Sequence, residues 1–467
     1  MLSFFRVNAA YQIFILLIIL FLVRIPVLLG NTPLLIPEMQ WTLLGEQLSK
    51  GYILYEQIWD STAPLSAMAY AGMHWIFGRS EISYHFLAYI ITAFQVIYFN
   101  LIMSRQSIFP ERNYVPGFIY LVIMNISFDY TTLSPALMAT TFLLLALGTL
   151  LKQLDREGIK DELLEVGFYI SIATLFYPPS MVFILWVVLS LLLYSGASFR
   201  QHIINVLGFL FPIVIVNLYF YLDGHYEAFT RNFLSIIFQI RQYDLNDFQT
   251  LLAVIALPVI FAVLGFLKIL NYGRYTNFQS RVQQVVALYL GGCLLSVGLM
   301  SYLAPMQFVI FTPGLAYFTV YFFETYTRKR WIPELMLVVF AGGVGVLFYL
   351  TLMPAFSNSI VKLENLTVKP VRLPAEIKNK KILVFGESMG EYLDNYPATA
   401  YLNWNLSRFD LENLNNYNNV INILRNFEKD PPEYLIDRKN LVPTLFKRIP
   451  ALARRYQEIE KGIYRRV

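Results

Sequence analysis

The sequence is short of the residues from which soluble enzymes build polar surfaces and metal centres. Only 14% of its 467 residues are charged, four are histidine, and one, Cys293, is cysteine. A single cysteine excludes an internal disulfide and a cysteine metal cluster, and it leaves the redox compartment open. The sequence also lacks a P-loop, an H-E-x-x-H motif and clustered histidine or cysteine ligands, which excludes the commonest nucleotide and zinc sites.

Hydrophobic residues dominate what is present. They make up 57% of the chain, and the mean hydropathy is +0.52, which is too apolar for a domain with a fully hydrated surface. The net charge of +5 does not indicate a nucleic-acid partner, because the basic residues are scattered at the ends of apolar runs rather than gathered on one face. The composition predicts a polytopic membrane protein.

About eleven apolar runs are predicted to be membrane spans. The first is too long for the core of a cleaved signal peptide, so we expect it to be retained. Two short runs flank the segment Tyr177-Pro178-Pro179-Ser180. The runs cover residues 11–29, 82–103, 114–128, 133–151, 165–175, 181–194, 203–221, 251–270, 285–303, 308–326 and 332–352.

The distribution of basic residues orients these runs. With the N-terminus in the cytoplasm, most Lys and Arg residues of the short connections, such as Lys152 and Arg328, are cytoplasmic, as the positive-inside rule prefers. The same orientation carries the polar residues after the last run to the outer face. We therefore expect a multi-pass domain over 1–355 in a prokaryotic cytoplasmic membrane and an extracytoplasmic domain over 356–467.

The C-terminal domain has the pattern of a small α/β fold. Buried strands are predicted at 381–386 and 433–437, the second after a Pro-Pro turn. Residues 441–463 look helical and basic.

The first loop, residues 30–81, is long for a connection between spans, and such lengths usually carry function. Its apolar stretches 39–49 and 64–77 are predicted to be helices at the membrane interface. The loop contains Glu38-Met-Gln-Trp, then Gly45-Glu-Gln-Leu-Ser-Lys-Gly51-Tyr-Ile-Leu-Tyr55, then Trp59-Asp60-Ser-Thr-Ala63-Pro64-Leu65, then Ile76-Phe-Gly78-Arg-Ser80.

These motifs resemble the first outer loop of GT-C glycosyltransferases, in the bacterial branch whose loop begins with an acidic motif and continues through G-x-x-x-Y, D-x-x-x-P-L and F-G-x-S. The pieces Tyr401-Leu-Asn-Trp404 and Pro431-Pro-Glu-Tyr-Leu-Ile-Asp437 are similar to the outer domain of that branch. Loops of the branch often open with two adjacent acidic residues, whereas Glu38 stands between Pro37 and Met39.

The resemblance implies an all-α polytopic GT-C-like membrane domain of about 11 transmembrane helices with a small C-terminal extracytoplasmic α/β domain. The implied activity is the inverting transfer of a sugar from a polyprenyl-phosphate donor to a glycan, lipid or protein acceptor of the cell envelope, with the periplasmic domain covering the cavity. Beyond the donor lipid no cofactor is required. Nothing requires a metal, although Glu38, Asp60 or Asp129 could hold magnesium or manganese with the donor phosphate.

Inverting transfer needs a base for the acceptor's proton and cations for the phosphate that leaves. Glu38 is the predicted base, and Asp60 is predicted to position the acceptor or to support Glu38. The alternative for Glu38 is an acidic residue that stabilises the start of a helix. Asp129 is the third catalytic candidate, and its alternative is a turn residue before the next span.

Binding candidates are basic for the donor and aromatic for the acceptor. Arginine suits phosphate because its planar fork makes two bonds at once, but any of these residues could instead anchor a helix among lipid headgroups. The donor-phosphate candidates are Arg231, Arg241, His225, Arg79 and His85. The acceptor candidates are Tyr401, Trp404 and Tyr392, because aromatic faces suit sugars.

One motif is typical of a different activity, which the rest of the sequence does not support. Gly386-Glu-Ser388-Met-Gly390 follows a predicted strand and matches the nucleophile elbow of α/β-hydrolases. In that fold the histidine base follows the serine, whereas all four histidines here precede Ser388. We interpret the two glycines as turn residues.

Two rival functions remain open. The first is a catalytically silent GT-C-like scaffold or lipid-binding subunit of an envelope assembly, which predicts that Glu38→Gln leaves function intact. The second is a transporter of lipid-linked precursors. Charged residues inside the predicted spans are sparse, which argues against a proton- or ion-coupled transporter.

Overall fold

The computed structural model describes residues 1–30, 32–105, 108–109, 111–155, 161–235, 248–271, 275–324, 331–353 and 364–467. The chain forms two compact units. The helical unit contains Met1–Thr32, Glu81–Leu218 and Gln239–Leu366, and the mixed unit contains Pro33–Ser80, Tyr219–Phe238 and Thr367–Val467. The first loop and the C-terminal residues therefore share a unit, and the division at residue 355 stays a prediction.

The helical unit is built from apolar helices. They are Leu2–Phe5, Tyr11–Leu28, Glu81–Arg105, Val115–Ile123, Pro135–Asp155, Asp161–Phe176, Phe183–Tyr194, most of Phe199–Leu222, Phe248–Asn271, Asn277–Val297, Thr312–Glu324 and Trp331–Leu352. Short 3-10 helices cover Phe128–Thr131, Pro178–Val182, Pro305–Phe311 and Glu364–Leu366.

Each of the eleven predicted apolar runs overlaps one of these helices. Within the described part of the chain, seven helical segments are long and apolar enough to cross a membrane: Tyr11–Leu28, Glu81–Ser104, Pro135–Leu154, Phe199–Leu222, Phe248–Asn271, Pro305–Glu324 and Trp331–Leu352. An all-α polytopic membrane domain is therefore confirmed. Eleven crossings, and the side on which each end lies, stay predictions.

Glycine lets two of these helices approach closely. A Cβ on Gly167 would lie 2.0 Å from the carbonyl oxygen of Asn205, and one on Gly208 would lie 2.3 Å from that of Leu164. The Asn205 side chain donates to the carbonyl of Leu163 at 2.9 Å across the same interface. Small residues and interhelical hydrogen bonds are what hold helices together in lipid, where apolar side chains gain little from mutual contact.

The mixed unit combines helices with one five-stranded sheet. Its helices are Ile36–Ser49, Pro64–Phe77, Tyr226–Phe229, Trp404–Leu411, Tyr417–Lys429, Val442–Arg448 and Pro450–Ala453, with a π-helix at Thr230–Leu234 and 3-10 helices at Ala375–Ile377 and Gly390–Tyr392. The strands are β1 (Lys381–Phe385), β2 (Tyr396–Pro397), β3 (Tyr434–Asp437), β4 (Tyr456–Glu460) and β5 (Ile463–Arg466). Their order is β2-β1-β3-β5-β4.

The first three strands are parallel, and β5 pairs antiparallel with β3 and β4. The two strands predicted from the sequence correspond to β1 and β3 and are confirmed. The predicted helix over 441–463 is wrong beyond Ala453. There the chain forms the hairpin β4–β5, and Gly462, with φ of +75°, adopts a left-handed backbone conformation that glycine reaches without steric cost.

Both helices predicted in the first loop are present, as Ile36–Ser49 and Pro64–Phe77. The second exposes Met68, Trp75 and Ile76, with Trp75 82% exposed. An apolar face of this kind fits a lipid interface, and that location stays a prediction.

The glycine contact in the helical unit gives a testable expectation. Gly167→Ala should lower the free energy of unfolding by about 1–3 kcal/mol, because the added methyl must push two helix backbones apart. Thermal unfolding of the purified protein in a mild detergent measures the effect. Gly291→Ala is the matched control, since a Cβ there meets nothing within 4 Å. Equal melting temperatures for the two variants would contradict the close contact.

Candidate functional site

The carboxylate of Asp60 is fully buried in the mixed unit. Its Oδ2 accepts a hydrogen bond from the Gln40 side chain at 2.5 Å, and its Oδ1 accepts from the backbone amide of Thr62 at 2.7 Å. The side chain of Asn403 also bonds to the carboxylate. A buried carboxylate is tolerated only when donors surround it, and here the donors come from three separate parts of the sequence.

Backbone hydrogen bonds join the same parts. The amide of Trp59 donates to the carbonyl of Ala400 at 2.7 Å, and the amide of Asn403 donates to the carbonyl of Trp59 at 3.3 Å. Asn403 also begins the helix Trp404–Leu411, because its side-chain oxygen accepts from the amide of Asn405 at 3.0 Å. The motif around Asp60 and the motif ending in Trp404 are thus one structural feature, which we call the Asp60 hub: Gln40, Trp59, Asp60, Thr62 and Asn403.

Burial has an electrostatic consequence at the hub. It raises the pKa of Asp60 above its ordinary value, while the hydrogen bonds from Thr62, Gln40 and Asn403 oppose the shift by stabilising the charged form. With both oxygens already accepting hydrogen bonds, Asp60 is better placed to hold a geometry than to exchange protons.

Glu38 lies two residues before Gln40, in the first turn of the helix Ile36–Ser49, and it is 1% exposed. An acidic residue here is favoured by the positive end of the helix dipole, so the alternative predicted for Glu38 is compatible with its position. The link from Gln40 to Asp60 fixes this turn. The turn that carries Glu38 is therefore tied to the second candidate carboxylate of the first loop.

A cation and a second aromatic ring contact Trp59 of the hub. The guanidinium of Arg231 lies 5.1 Å from the centre of the Trp59 ring, and the rings of Trp59 and Tyr401 meet edge to face at 5.1 Å. The hydroxyl of Tyr401 donates to Asp410 Oδ2 at 3.3 Å. Arg231 is exposed, whereas Trp59, Tyr401 and Asp410 are buried. This arrangement places a solvent-accessible positive charge beside a rigid aromatic pair.

Asp410 is the acidic member of this group. Burial raises the pKa of Asp410 to about 6, although the Tyr401 hydroxyl, the nearby charge of Arg231 and the Asn422 side chain act in the opposite direction. The carboxyl therefore titrates closer to neutral pH than an ordinary aspartate does.

His225 lies in a second polar group of the mixed unit. Its Nδ1 contacts a carboxylate oxygen of Glu56, and its Nε2 lies 3.6 Å from Asp223. Lys429 also pairs with Glu56, at 3.2 Å. Partial burial raises the pKa of Glu56, but the hydrogen bonds from Lys429 and His225 outweigh it and leave the pKa lowered. His225 thus has acidic partners that a donor phosphate would have to displace or share.

The guanidinium of Arg79 is bonded to other residues of the mixed unit. Its Nε donates to Glu46 at 2.5 Å, and its two terminal nitrogens donate to the carbonyls of Tyr392 and Asn395 at 3.1 and 2.8 Å. The guanidinium also lies over the ring of Tyr396. Because its fork is occupied within the unit, we do not retain Arg79 as a phosphate ligand.

Tyr392 is likewise buried and bonded within the mixed unit. The ring is 3% exposed, and its hydroxyl accepts the amide of Val384 at 3.1 Å, which satisfies a β1 donor. Burial raises the pKa of this hydroxyl, so it stays protonated. Trp404 is buried as well, with Lys439 Nζ 5.2 Å from the centre of its ring. Of the three acceptor candidates, only Tyr401 contacts the group that contains Arg231.

Two candidates lie in the helical unit. Asp129 Oδ2 accepts the amide of Met306 at 2.6 Å, which caps the start of Pro305–Phe311. Burial raises the pKa of Asp129 to about 6, against opposing hydrogen bonds from Ser127 and nearby amides. His85 Nδ1 lies 3.1 Å from the carbonyl of Thr131. The Asp129 geometry fits the turn alternative, and Arg241 lies outside the described residues.

Sequence reasoning missed three residues of the site, Gln40, Asn403 and Asp410. Gln40 and Asn403 stand inside motifs that were singled out for their acidic and aromatic members, so their position in the motif was an available signal. Asp410 had no such signal, because its role depends on burial. Among the described residues, no group of three or more His, Cys, Asp or Glu side chains is arranged to hold a metal ion.

The raised pKa of Asp410 gives a testable pH dependence. Between its ordinary pKa of 3.8 and about 6, the folded state binds more protons at this carboxyl than the unfolded state, so its contribution to stability grows as pH falls. The melting temperature of wild type minus that of Asp410→Asn should therefore rise between about pH 7 and about pH 5. Asp394→Asn, at an exposed carboxylate, is the matched control. A flat difference for Asp410→Asn would show that this carboxyl does not titrate there.

The solved structures that are similar to this chain include two polyprenyl-phosphate-associated membrane enzymes. ArnT from Cupriavidus metallidurans bound to undecaprenyl phosphate shares 12% sequence identity, with a TM-score of 0.51 over 73% of this chain and 65% of that chain. The archaeal oligosaccharyltransferase AglB from Archaeoglobus fulgidus, in complex with an inhibitory peptide and a dolichol-phosphate, shares 10% identity, with a TM-score of 0.50 over 98% of this chain and 74% of that chain.

Both are GT-C-fold glycosyltransferases, so the likeness confirms a GT-C-like fold. This chain spans slightly less than two thirds of the ArnT chain, and at these identities the likeness shows the fold alone. None of the curated proteins matches the sequence. Residues 61–356 match the profile of DUF6427, described as a family of unknown function. Because this match spans more than half of the sequence, the chain belongs to the DUF6427 family.

Proposed function

We propose that this protein is a membrane glycosyltransferase that moves a sugar from a polyprenyl-phosphate donor to an acceptor at the outer face of a prokaryotic cytoplasmic membrane. The N-terminus lies in the cytoplasm and the C-terminal α/β residues lie outside, as the distribution of Lys and Arg in the short connections favours. Both similar structures contain a polyprenyl-type phosphate lipid, which supports the donor class.

The observation that carries the proposal is the Asp60 hub. Three sequence segments with the resemblance to GT-C enzymes, around Gln40, Asp60 and Asn403, meet at one buried carboxylate. Residues far apart in a sequence converge on a buried charge at a cost in desolvation, and such arrangements are concentrated at functional sites.

In the proposed reaction, an oxygen of the acceptor attacks the anomeric carbon of the donor sugar. The bond from that carbon to the phosphate oxygen breaks, and the polyprenyl phosphate leaves with the electron pair. Glu38 takes the proton of the acceptor, which makes the oxygen nucleophilic. Asp60 is the positioning residue, because its bond to Gln40 fixes the turn that carries Glu38.

The leaving phosphate needs positive charge. Arg231 supplies it, since it is exposed and is held against Trp59, and within the described residues it forms no ion pair with a carboxylate. His225 and Arg241 belong to the same chain segment and complete the donor site in this proposal. The acceptor lies against the Trp59–Tyr401 pair, whose rings offer the flat apolar faces that sugars prefer.

The test is mass spectrometry of lipids that copurify with the protein from its native membrane. Glu38→Gln should retain a polyprenyl-phosphate sugar that wild type turns over, with turnover reduced roughly 10²- to 10⁴-fold by loss of the base. Asp60→Asn should reduce turnover less, because it disturbs position and not proton transfer. Glu428→Gln is the matched control, since Glu428 is an exposed carboxylate of the same unit, and it should behave as wild type.

Complementation of a deletion strain and transport in proteoliposomes, together with the lipid analysis, separate the rival functions. If no form carries a polyprenyl lipid and Glu38→Gln complements a deletion strain normally, the transferase proposal is wrong and the protein is a scaffold. If proteoliposomes move a lipid-linked sugar across the bilayer without forming a glycosidic bond, the protein is a transporter.

A further inference from the structure

The loops that follow β1 and β3 meet at one edge of the sheet in the mixed unit. The strand order β2-β1-β3, with all three strands parallel, means that the chain leaves β1 towards β2 and returns to the other side of β1 as β3. In open parallel sheets, ligands bind at the carboxyl ends of the two strands where the connections diverge, because the departing loops leave a crevice there. Here that position lies between the residues after Phe385 and those after Asp437.

A buried carboxylate ties the two loops together at this edge. Glu391 is 1% exposed. One of its oxygens accepts the Ser388 hydroxyl at 2.5 Å, and the other accepts Arg438 Nε at 2.8 Å. The Arg438 side chain is 43% exposed. Since Glu391 engages the inner nitrogen, the guanidinium is fixed in orientation, and its two terminal nitrogens have no hydrogen-bond partner among the residues that the structure describes.

A second cation lies beside the first. The carboxylate of Asp437 accepts the amides of Lys439, Leu441 and Val442, which folds the loop after β3 into a fixed turn. Lys439 Nζ lies 5.2 Å from the centre of the Trp404 ring and 3.2 Å from Glu387. The side chain of Glu387 is 70% exposed, so this ion pair is weak and a ligand could readily replace it.

The indole of Trp404 adds a hydrogen-bond donor without a partner. Its Nε1 is buried and has no acceptor within the described part of the chain, and the residue is 5% exposed. Buried donors in folded proteins are almost always satisfied by protein, water or ligand. Together the edge offers two cations and one unsatisfied donor.

We propose that Arg438, Lys439 and Trp404 form a binding site for an oxyanion, that is, the phosphate or carboxylate group of an acidic ligand, while the Ser388 hydroxyl stays bonded to Glu391. Arg438 makes two parallel bonds to the oxyanion, as guanidinium groups do with phosphate and carboxylate. Lys439 exchanges the exposed Glu387 for the ligand, and Glu391 holds Arg438 in place. The site binds and does not hydrolyse, because the Ser388 hydroxyl donates to a carboxylate that is already paired with Arg438.

The glycines of the G-x-S-x-G motif build this edge. A Cβ on Gly390 would lie 2.0 Å from the carbonyl oxygen of Lys369, so no other residue fits there. Gly386 has a φ of +154°, and a Cβ there would lie 3.2 Å from that of Arg438. The motif therefore serves to bring the loop backbone close to its neighbours, as the sequence interpretation expected of turn residues.

The test measures binding of inorganic phosphate to the full-length protein in nanodiscs of neutral phosphatidylcholine, by calorimetry at low ionic strength with chloride as the competing anion. Lys439→Gln and Arg438→Lys should each weaken binding roughly three- to tenfold. Arg438→Lys keeps a positive charge beside Glu391 and so protects folding, while it removes the planar fork. Arg465→Gln, an exposed cation on β5, is the matched control and should bind as wild type.

Equal affinities for wild type, Lys439→Gln and Arg438→Lys would overturn the proposal, as would an equal loss in Arg465→Gln. The source of the oxyanion follows from a second arm with phosphatidylglycerol in the nanodiscs. If the anionic lipid weakens phosphate binding in wild type but not in Lys439→Gln, the ligand is a lipid headgroup, and otherwise it is a soluble acid. Phosphate binding is measured without turnover, so this site stands or falls independently of the transferase proposal.

Discussion

The mixed unit depends on one constraint, which is that the buried charge of Asp60 must be surrounded by donors. An ionised carboxylate without hydrogen bonds would be far too costly in a low-dielectric interior. The donors are Gln40, Thr62 and Asn403, so the first loop and the C-terminal residues have to fold against one another to satisfy it. A backbone hydrogen bond from Trp59 to Ala400 then extends the contact, and both residues enter the apolar core that contains β1 and β3.

Much of the fold was predictable because it follows from local patterns. Apolar runs of membrane length become helices in lipid, where every backbone group must be satisfied within its own segment. The short apolar runs of β1 and β3 likewise predict strands. The hairpin after Ala453 was not predictable in this way, because the basic residues of 441–463 suit a helix surface as well as an exposed strand.

The sequence indicates which residue types belong to the candidate site, but it does not indicate which residues they bond to. The sequence predicts Asp60 as a site residue, but its pairing with Asn403 links two distant segments and leaves no trace in either one. Arg79 shows how one residue type fits two roles. An arginine near a predicted membrane interface indicates a phosphate ligand, and the same planar fork here ties Glu46 to two backbone carbonyls. Arginine offers five donors in a fixed plane, so the same geometry that recognises phosphate also joins loops.

The adjacent residues Asn403 and Trp404 connect the two proposed sites. Asn403 bonds to Asp60 and begins the helix Trp404–Leu411, while Trp404 lies beneath Lys439 at the edge of β1 and β3. A helix is a rigid element, so a substitution at Trp404 affects both the Asp60 hub and the oxyanion site. The effects of such variants therefore cannot be assigned to one site. Asn403 and Lys439 each face one site alone. Substitutions there separate support of the Asp60 carboxylate from binding of an oxyanion, which makes these two positions, rather than the more conspicuous tryptophan, the informative ones.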